Sequence, residues 1–228
     1  SSLIYKTPLA YKETYIEGIK DISPMDIKYA DELGYSIKHI GVTKESDNSV
    51  ESRVHPMLVS KDNILSQVHG VMNAVLVKGE RFGSSMFYGH GAGGDATASA
   101  VVANLVEAIN FDQGIDKTNQ KIIESIGTQN KKIKKIDEIE TPFYLRIHAE
   151  DVSGVMAEIT NILALEKISI EAVTQHEPTD TDALIPIVMI TNSIQKSIIT
   201  NAIKKIENLT HVKQKVYSIR VLQFDEKQ

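Results

Sequence analysis

Residues 141–174 read TPFYLRIHAEDVSGVMAEITNILALEKISIEAVT and contain a strand, a helix and a second strand in succession. Phe143, Leu145 and Ile147 alternate with their neighbours, which is typical of a strand with one buried face. After a turn at 150–154, apolar residues recur at helical spacing: Val155, Ile159, Ile162 and Leu163. Residues 168–174 then predict a second strand. The whole stretch therefore predicts a β-α-β unit.

The chain beyond residue 174 predicts a second unit with the same order of strand, helix and strand. We expect a strand over 184–190, a helix capped by Asn192 or Ser193, and a last strand over 212–222. The helix carries its apolar side at Ile198, Ile199, Ala202, Ile203 and Ile206. The complete order, β-α-β-β-α-β, is the ferredoxin-like split arrangement.

The segment before residue 110 begins its regular structure with a clear helix start. Ser23 can cap a helix that starts at Pro24, and Asp26 at the third helical position completes a capping box. Gly34 supplies the left-handed residue that ends this helix. Its acidic residues, Asp26 among them, are expected on an ordinary solvated face.

The rest of that segment predicts hairpins and one long helix. Residues 35–39 and 50–54 alternate on either side of a turn, and strands over 74–77 and 84–88 flank a second turn at Gly79. A helix over about 96–108 should bury one stripe, formed by Val101, Val102, Leu105, Val106 and Ile109. The fold class is therefore α+β: a mixed-sheet domain followed by a ferredoxin-like domain.

The stretch between the two segments is polar. Lys131, Lys132, Lys134 and Lys135 are followed directly by Asp137, Glu138 and Glu140, a mixed run typical of a solvated linker. We therefore predict a first domain over 1–110, a linker over 111–140 and a second domain over 141–228.

Composition excludes several classes of protein. The chain has 228 residues, a net charge of -5 and no cysteine, so neither a basic nucleic-acid surface nor a cysteine-ligated metal or disulfide scaffold is expected. The longest apolar run, 183–190, contains Pro186 and is far shorter than the about 20 residues of a membrane-spanning helix. No secretory signal or clustered metal-ligand spacing is visible, so we expect a cytoplasmic protein without a metal site or a membrane partner.

A glycine cluster lies between a predicted strand and a predicted helix. Gly89, Gly91 and Gly94 satisfy G-x-G-x-x-G, but no second parallel strand with an acidic end follows them, so a complete dinucleotide-binding fold is not expected. Two interpretations stay open: a contact from the loop amides to an anion or cofactor, or a tight turn that lets strand and helix pack closely.

The turn at 150–154 is the other candidate site. Asp151 can take the ammonium of an amino acid, while the amides of Gly154, Val155 and Met156 at a helix N-terminus can take its carboxylate. Ser169 and Gln175 can add polar contacts across a pair of domains. The alternatives are a capped helix after a glycine turn, and a domain that only dimerises.

Several stretches of residues 1–110 together resemble homoserine dehydrogenase. They are YIEGI at 15–19, DIKYADELGYSIK at 26–38, RVHP at 53–56, NAV at 73–75, MFYGHGAG at 86–93 and TASAVV at 97–102. Residues 141–222 resemble an ACT domain through DVSGV at 151–155, ISIE at 168–171 and Gln175. Lys38 and His55 also match family positions.

The resemblance implies an enzyme that interconverts L-aspartate 4-semialdehyde and L-homoserine with NAD(P), in threonine and methionine biosynthesis. Family members carry a Rossmann domain and a D-x-x-x-K signature with the proposed proton-donating lysine. We expect both to precede this chain, so no catalytic residue is assigned here and the chain alone should be inactive.

The resemblance further implies a cofactor contact at Gly89, Gly91 and Gly93, a homodimer or larger homo-oligomer, and an amino-acid effector, with threonine favoured. The alternative is a non-catalytic amino-acid-binding regulatory protein with an ACT domain.

Overall fold

The computed structural model describes residues 1–8, 11–46, 48–112, 124, 126–129, 131–176 and 184–224. Its contacts divide the chain into two compact units. The first unit joins Ser1–Tyr11 to Lys61–Lys132, and the second joins Lys12–Ser60 to Ile133–Gln228. The predicted boundaries at 110 and 141 stay a prediction, but residues from both sides of them share one sheet in the second unit.

The second unit is built on an eight-stranded sheet. Its strands are β1 (Tyr15–Ile16), β2 (Tyr35–Ser46), β3 (Ser49–Ser60), β6 (Lys132–Ile133), β8 (Phe143–Ala149), β9 (Ile170–Gln175), β10 (Ile185–Thr191) and β12 (Tyr217–Val221). The main order of the sheet is β1-β3-β12-β8-β10-β9, and β2 and β6 also pair with β3. Two further short strands, β7 (Glu140–Thr141) and β11 (Ile194–Gln195), pair with each other.

The C-terminal part of this sheet confirms the predicted β-α-β-β-α-β order. Helix α4 (Val155–Leu165) follows β8, and helix α5 (Lys196–Glu207) lies between β10 and β12. Strand β10 is antiparallel to both β8 and β9. The alternating residues of β8 and the apolar stripes of both helices form one buried core, which includes Leu145, Ile147, Ile159, Leu163, Ile199 and Ile206.

The predicted cap of α5 is wrong. The helix begins after Gln195, which makes no side-chain capping bond. Ile194 and Gln195 instead pair with β7 as a short strand, so the helix starts later than the cap signal indicated. The carboxamide oxygen of Asn192 is used elsewhere, because it accepts a hydrogen bond of 3.0 Å from the amide of Ser169.

The first predicted hairpin is confirmed, and its strands are longer than the alternation indicated. Strands β2 and β3 pair from Tyr35 with Ser60 to Ser46 with Ser49. The second half of β3 is buried at every position from His55 to Val59, on both faces of the strand, and β12 pairs with its edge in parallel, with Arg220 opposite Met57. A strand covered on both faces shows no alternation, which is why its length was underestimated.

Helix α2 (Pro24–Glu32) starts as predicted. Ser23 accepts from the amide of Asp26, and the Asp26 carboxylate accepts from the amide of Ser23, which completes the capping box. Gly34, at a φ of 83°, follows the helix. The helix packs on the sheet face opposite α4 and α5, where Tyr29 and Ala30 join a second buried cluster.

The first unit contains α1 (Ser2–Tyr5), the hairpin β4 (Met72–Gly79) and β5 (Gly83–His90), and α3 (Gly94–Asp112). The predicted strands, the turn and the long helix are present, and a 3-10 helix at Ile64–Gln67 follows the cap Asn63.

The predicted burial of the α3 stripe is wrong, since no residue of α3 is buried. The side chains of Val101, Val102, Leu105, Val106 and Ile109 are 52–59% exposed. An amphipathic pattern identifies the side of a helix that is suited to packing, and the described part of this unit places no layer against that side.

Candidate functional site

The loop between β8 and α4 contains the predicted effector residues Asp151, Gly154, Val155 and Met156. The amide of Glu150 donates to the carbonyl of His211 at 2.9 Å. The Glu150 carboxylate contacts His211 Nδ1 at 2.7 Å and Lys213 Nζ at 3.0 Å. These contacts hold the pKa of the Glu150 carboxyl below its ordinary value, and the hydrogen bond to His211 has the largest effect. The start of the loop is therefore fixed, and Asp151 projects beyond it as an exposed residue.

Gly154 adopts a conformation that other residues rarely adopt. Its φ is 99°, and it occupies the N-cap position of α4 without a side-chain capping bond. A Cβ built on Gly154 meets no atom within 4 Å, so open space borders the loop. The glycine is required by its backbone conformation rather than by crowding within the chain.

The three predicted amides differ in their availability. The amide of Val155 donates to the carbonyl of Val152 at 3.4 Å, which is a long hydrogen bond. Among the described residues, no acceptor is recorded for the amides of Gly154 and Met156. Because first-turn amides have no partner within their own helix, these two remain open to an anionic group.

The sheet register brings Gln175 to the Asp151 end of the sheet. Ile187 pairs with both Ile147 and Gln175, and Ile185 pairs with Ala149, so Gln175 is level with the second half of β8 and is separated from it by β10. Ser169 precedes β9 at the opposite end, where Thr191 pairs with Ile170. Within one chain, therefore, Gln175 and not Ser169 lies at the end of the sheet from which the loop leaves. A contact from Ser169 across a pair of domains stays a prediction.

The glycine loop of the first unit lies between β5 and α3. The amide of Gly91 donates to the carbonyl of Val71 at 2.8 Å, and a side chain at Gly91 would overlap the carboxamide of Asn73. Gly93 has a φ of 121°, and its carbonyl accepts from both the amide and the hydroxyl of Thr97. Close approach and backbone conformation thus explain Gly91 and Gly93 without a ligand, while Gly89 lies within β5 opposite Asn73.

A buried polar cluster on β3 and β12 was not identified from the sequence. Glu51, Arg53 and His55 occupy alternate positions of β3, and Arg53 lies 3.4 Å from the Glu51 carboxylate. Arg220 on β12 donates to the hydroxyl of Thr141 at 2.9 Å. Burial lowers the pKa of Arg220 to about 10, with the nearby Arg53 guanidinium as the next cause. Charged residues at every second position of a strand were the available signal, because they place the charges on one face.

His55 is neutral inside this cluster, and its tautomer follows from its partners. Nε2 lies 2.9 Å from Arg53 Nη1, which can only donate, and Nδ1 lies 2.9 Å from the Pro56 carbonyl, which can only accept. The proton is therefore assigned to Nδ1. Burial lowers the pKa of this 1%-exposed histidine to about 4.

The expectation of a solvated face at Asp26 is wrong. Asp26 is 0% exposed and its Oδ1 accepts from Tyr144 Oη at 2.9 Å and from Arg146 Nε at 2.7 Å. Its Oδ2 accepts from the Ser23 amide and hydroxyl, each at 2.9 Å. The carboxylate therefore joins α2 to β8. The sequence pattern around Asp26 could not predict this, because Tyr144 and Arg146 lie more than 100 residues further along the chain.

Within the described ranges, no group of three or more His, Asp or Glu side chains is arranged to hold a metal ion. In the same part of the chain, no helix is long and apolar enough to cross a membrane.

Two family models match the sequence. Residues 1–106 match the model described as homoserine dehydrogenase, and residues 143–211 match the model described as ACT domain.

Full-length relatives align with nearly all of the chain. Homoserine dehydrogenase of Pseudomonas aeruginosa is 37% identical over 227 residues, which are 99% of this chain and 52% of the relative. That of Neisseria gonorrhoeae is 38% identical and covers 97% of this chain and 51% of its own length. The chain thus spans about half the length of the curated relatives it matches.

Solved structures agree with the sequence relatives. A homoserine dehydrogenase from Thiobacillus denitrificans superimposes with a TM-score of 0.83 at 36% identity, over 97% of this chain and 51% of that chain. A structure of the S. aureus homoserine dehydrogenase at pH 6.0 gives a TM-score of 0.62 at 24% identity, which supports the fold alone.

Proposed function

The chain is a C-terminal region of the homoserine dehydrogenase family, formed by the family's own domain followed by an ACT domain, and from this premise we propose its function. The whole protein interconverts L-aspartate 4-semialdehyde and L-homoserine with NAD(P), in threonine and methionine biosynthesis. This region supplies part of the substrate and dimerisation domain together with an amino-acid sensor. The alignment over 227 residues at 37% identity is the observation that carries the proposal.

This chain contributes only part of the proposed cofactor-binding site. When bound, the reduced cofactor NAD(P)H would supply the hydride, and Gly89, Gly91 and Gly93 would offer it backbone without side chains ahead of the N-terminus of α3. The described part of the unit has an antiparallel hairpin before that helix, whereas a complete dinucleotide site needs parallel strands. We therefore assign the loop a share in cofactor binding and no catalytic residue to the chain.

The ACT domain is proposed to bind an amino acid at the β8–α4 loop. The open amides of Gly154 and Met156 at the positive end of α4 suit the ligand carboxylate, and exposed Asp151 suits its ammonium. Gln175 lies at the same end of the sheet and supplies a further polar group. Threonine is the proposed ligand, because a threonine pathway is controlled most directly by its own product.

Assembly and location complete the proposal. The exposed apolar side of α3 and the position of β9 at the end of the sheet order suit a homodimer or larger homo-oligomer. We place the enzyme in the cytoplasm, because its substrate and product are small metabolites of amino-acid biosynthesis.

Two experiments test these assignments. The gene sequence upstream of Ser1 should encode a G-x-G-x-x-G strand–helix start and a D-x-x-x-K signature, and the complete product should oxidise NADPH in the presence of aspartate semialdehyde. If neither signature is encoded, the alternative of a non-catalytic amino-acid sensor replaces the enzyme. Calorimetry of the chain with threonine, isoleucine, lysine and methionine tests the sensor. If none of the four amino acids gives a heat of binding at millimolar concentration, the ACT domain is one that only dimerises.

A further inference from the structure

Helix α2 is held on the ACT sheet at two places that differ in exposure. At its N-terminal end, Asp26 is 0% exposed and bonds to Tyr144 and Arg146 of β8. At its C-terminal end, Glu32 lies 2.7 Å from His176 Nε2, and both side chains are partly exposed, at 35% and 50%. A buried charge pair is costly to separate, whereas a half-exposed polar contact opens easily. The N-terminal contact is therefore the firmer of the two, and the His176–Glu32 contact is called the latch below.

The latch has a second component. The imidazole of His176 stacks on the ring of Tyr29, with centroids 5.3 Å apart and an interplanar angle of 27°. Tyr29 belongs to the buried cluster between α2 and the sheet. His176 therefore holds the last turns of α2 by a polar contact and by ring packing.

The strands that hold α2 are the two that carry the proposed effector residues. Strand β8 bears Arg146 and leads directly into the loop with Asp151. Strand β9 ends at Gln175, and the next residue is His176. Since consecutive residues of an extended chain point to opposite faces, the side chains of Gln175 and His176 lie on opposite sides of the sheet.

We propose that α2 is the element through which an amino acid at the β8–α4 loop acts on the rest of the chain, with the His176–Glu32 contact as its latch. This inference rests on the proposed effector function of the loop. A ligand that uses Gln175 fixes the end of β9 and with it His176, which favours the latched helix. Helix α2 continues through Gly34 into β2 and β3, so the same shift reaches the hairpin.

The coupling is reciprocal and can be measured from the ligand side. If threonine favours the latched helix, opening the latch must weaken threonine binding by the factor that the latch contributes. A half-exposed contact of this kind corresponds to about a two- to fivefold change in Kd.

The experiment compares His176→Ala and Glu32→Gln with the wild-type chain and with Glu166→Gln. The control removes a charge from the Lys205–Glu166 contact, an ion pair of 2.6 Å between α4's end and α5 that does not involve α2. His176→Ala is included because Glu32 also lies 4.0 Å from Lys28. Threonine affinity is measured by calorimetry, and amide hydrogen exchange of residues 24–33 is followed with and without threonine. Circular dichroism checks that each variant is folded.

We expect slower exchange in α2 when threonine is bound, and weaker binding by both latch variants but not by the control. If threonine binds all four proteins equally and does not change hydrogen exchange in α2, the latch is refuted while the proposed effector site is supported. Threonine that does not bind the wild-type chain overturns the proposed effector function and the latch with it.

Discussion

The carboxylate of Asp26 accepts a hydrogen bond of 2.7 Å from the guanidinium of Arg146, a residue 120 positions further along the chain. Asp26 also caps its own helix through Ser23. One carboxylate thus fixes the start of α2 and attaches that start to the ACT sheet. The segment 12–60 and the C-terminal segment belong to one compact unit, which the pairing of β3 with β12 also joins.

Asp26→Asn should destabilise this unit strongly. The amide keeps the shape of the side chain but removes the negative charge opposite Arg146, whose side chain is only 14% exposed. Leaving one buried charge unpaired costs about 3 kcal/mol of unfolding free energy. Urea unfolding measures the change, with Glu166→Gln as the surface control expected within about 0.5 kcal/mol of wild type. A loss below about 1 kcal/mol for Asp26→Asn would show that the buried pair contributes little.

Stability should fall between pH 6.5 and pH 4 because of His55. Its folded-state pKa of about 4 lies below the ordinary 6.5, so in this window the unfolded chain binds a proton that the folded chain does not. The unfolding free energy therefore decreases as pH falls through the window, by about 3 kcal/mol in all, and this loss is absent above it. Burial also lowers the pKa of His148, which adds a loss in the same direction.

His55→Gln tests that assignment. Urea unfolding of both proteins at pH 7, 5.5 and 4.5 should give a shallower pH dependence for the variant, whatever its stability at pH 7. Parallel pH profiles for the two proteins would mean that His55 does not cause the loss.

Gly154→Ala should lower the stability of the domain because of the backbone conformation at this position, and not because of the volume of the added methyl. The added methyl has open space, but φ at this position is 99°, which disfavours a side chain by about 1–2 kcal/mol. Gly18→Ala is the matched control, since its Cβ also has open space and Gly18 has no positive φ. Thermal unfolding should therefore separate the two variants, and equal stabilities would contradict the backbone explanation.

Gly154→Leu should abolish threonine binding while the domain stays folded. The larger side chain occupies the open space beside the amides of Gly154 and Met156, where the ligand carboxylate is proposed to lie. Calorimetry measures the loss and circular dichroism the fold. Undiminished binding would place the ligand elsewhere.

The 228-residue chain alone should show no dehydrogenase activity. It carries no assigned catalytic residue, and groups that act together lose most of the rate enhancement when part of the set is missing. Oxidation of NADPH that depends on aspartate semialdehyde, above a control without enzyme, would refute this expectation.

The purified chain should associate at micromolar concentration. Apolar side chains cover one side of α3, and the β4–β5 hairpin also exposes Val75, Phe82 and Phe87. Such contiguous apolar surface is rarely left open to solvent. Sedimentation should show a species larger than 25.2 kDa, and Leu105→Glu with Val101→Lys should reduce association if α3 takes part. A clean monomer for the unaltered chain would contradict the prediction.

Local features of the chain were predictable. The capping box of Ser23 and Asp26 and the left-handed Gly34 act within a few residues, so the sequence carries them in full. The same is true of the alternation in β8 and the stripes of α4 and α5, which predicted the ferredoxin-like order. The family resemblance likewise rested on short motifs, and the comparisons confirmed it.

Local sequence patterns specified the elements, their order in the C-terminal domain and the candidate loops at Gly154 and Gly91. Three-dimensional contacts were needed to establish that β12 pairs with β3, that Asp26 is buried against Arg146, and that Gln175 and not Ser169 lies at the Asp151 end of the sheet. The tertiary structure also established that the stripe of α3 is exposed. The physical reason is the range of the interactions. Capping and periodicity act between neighbours in sequence, whereas strand pairing and buried ion pairs join residues far apart in the chain, and no local pattern specifies which distant partner they meet.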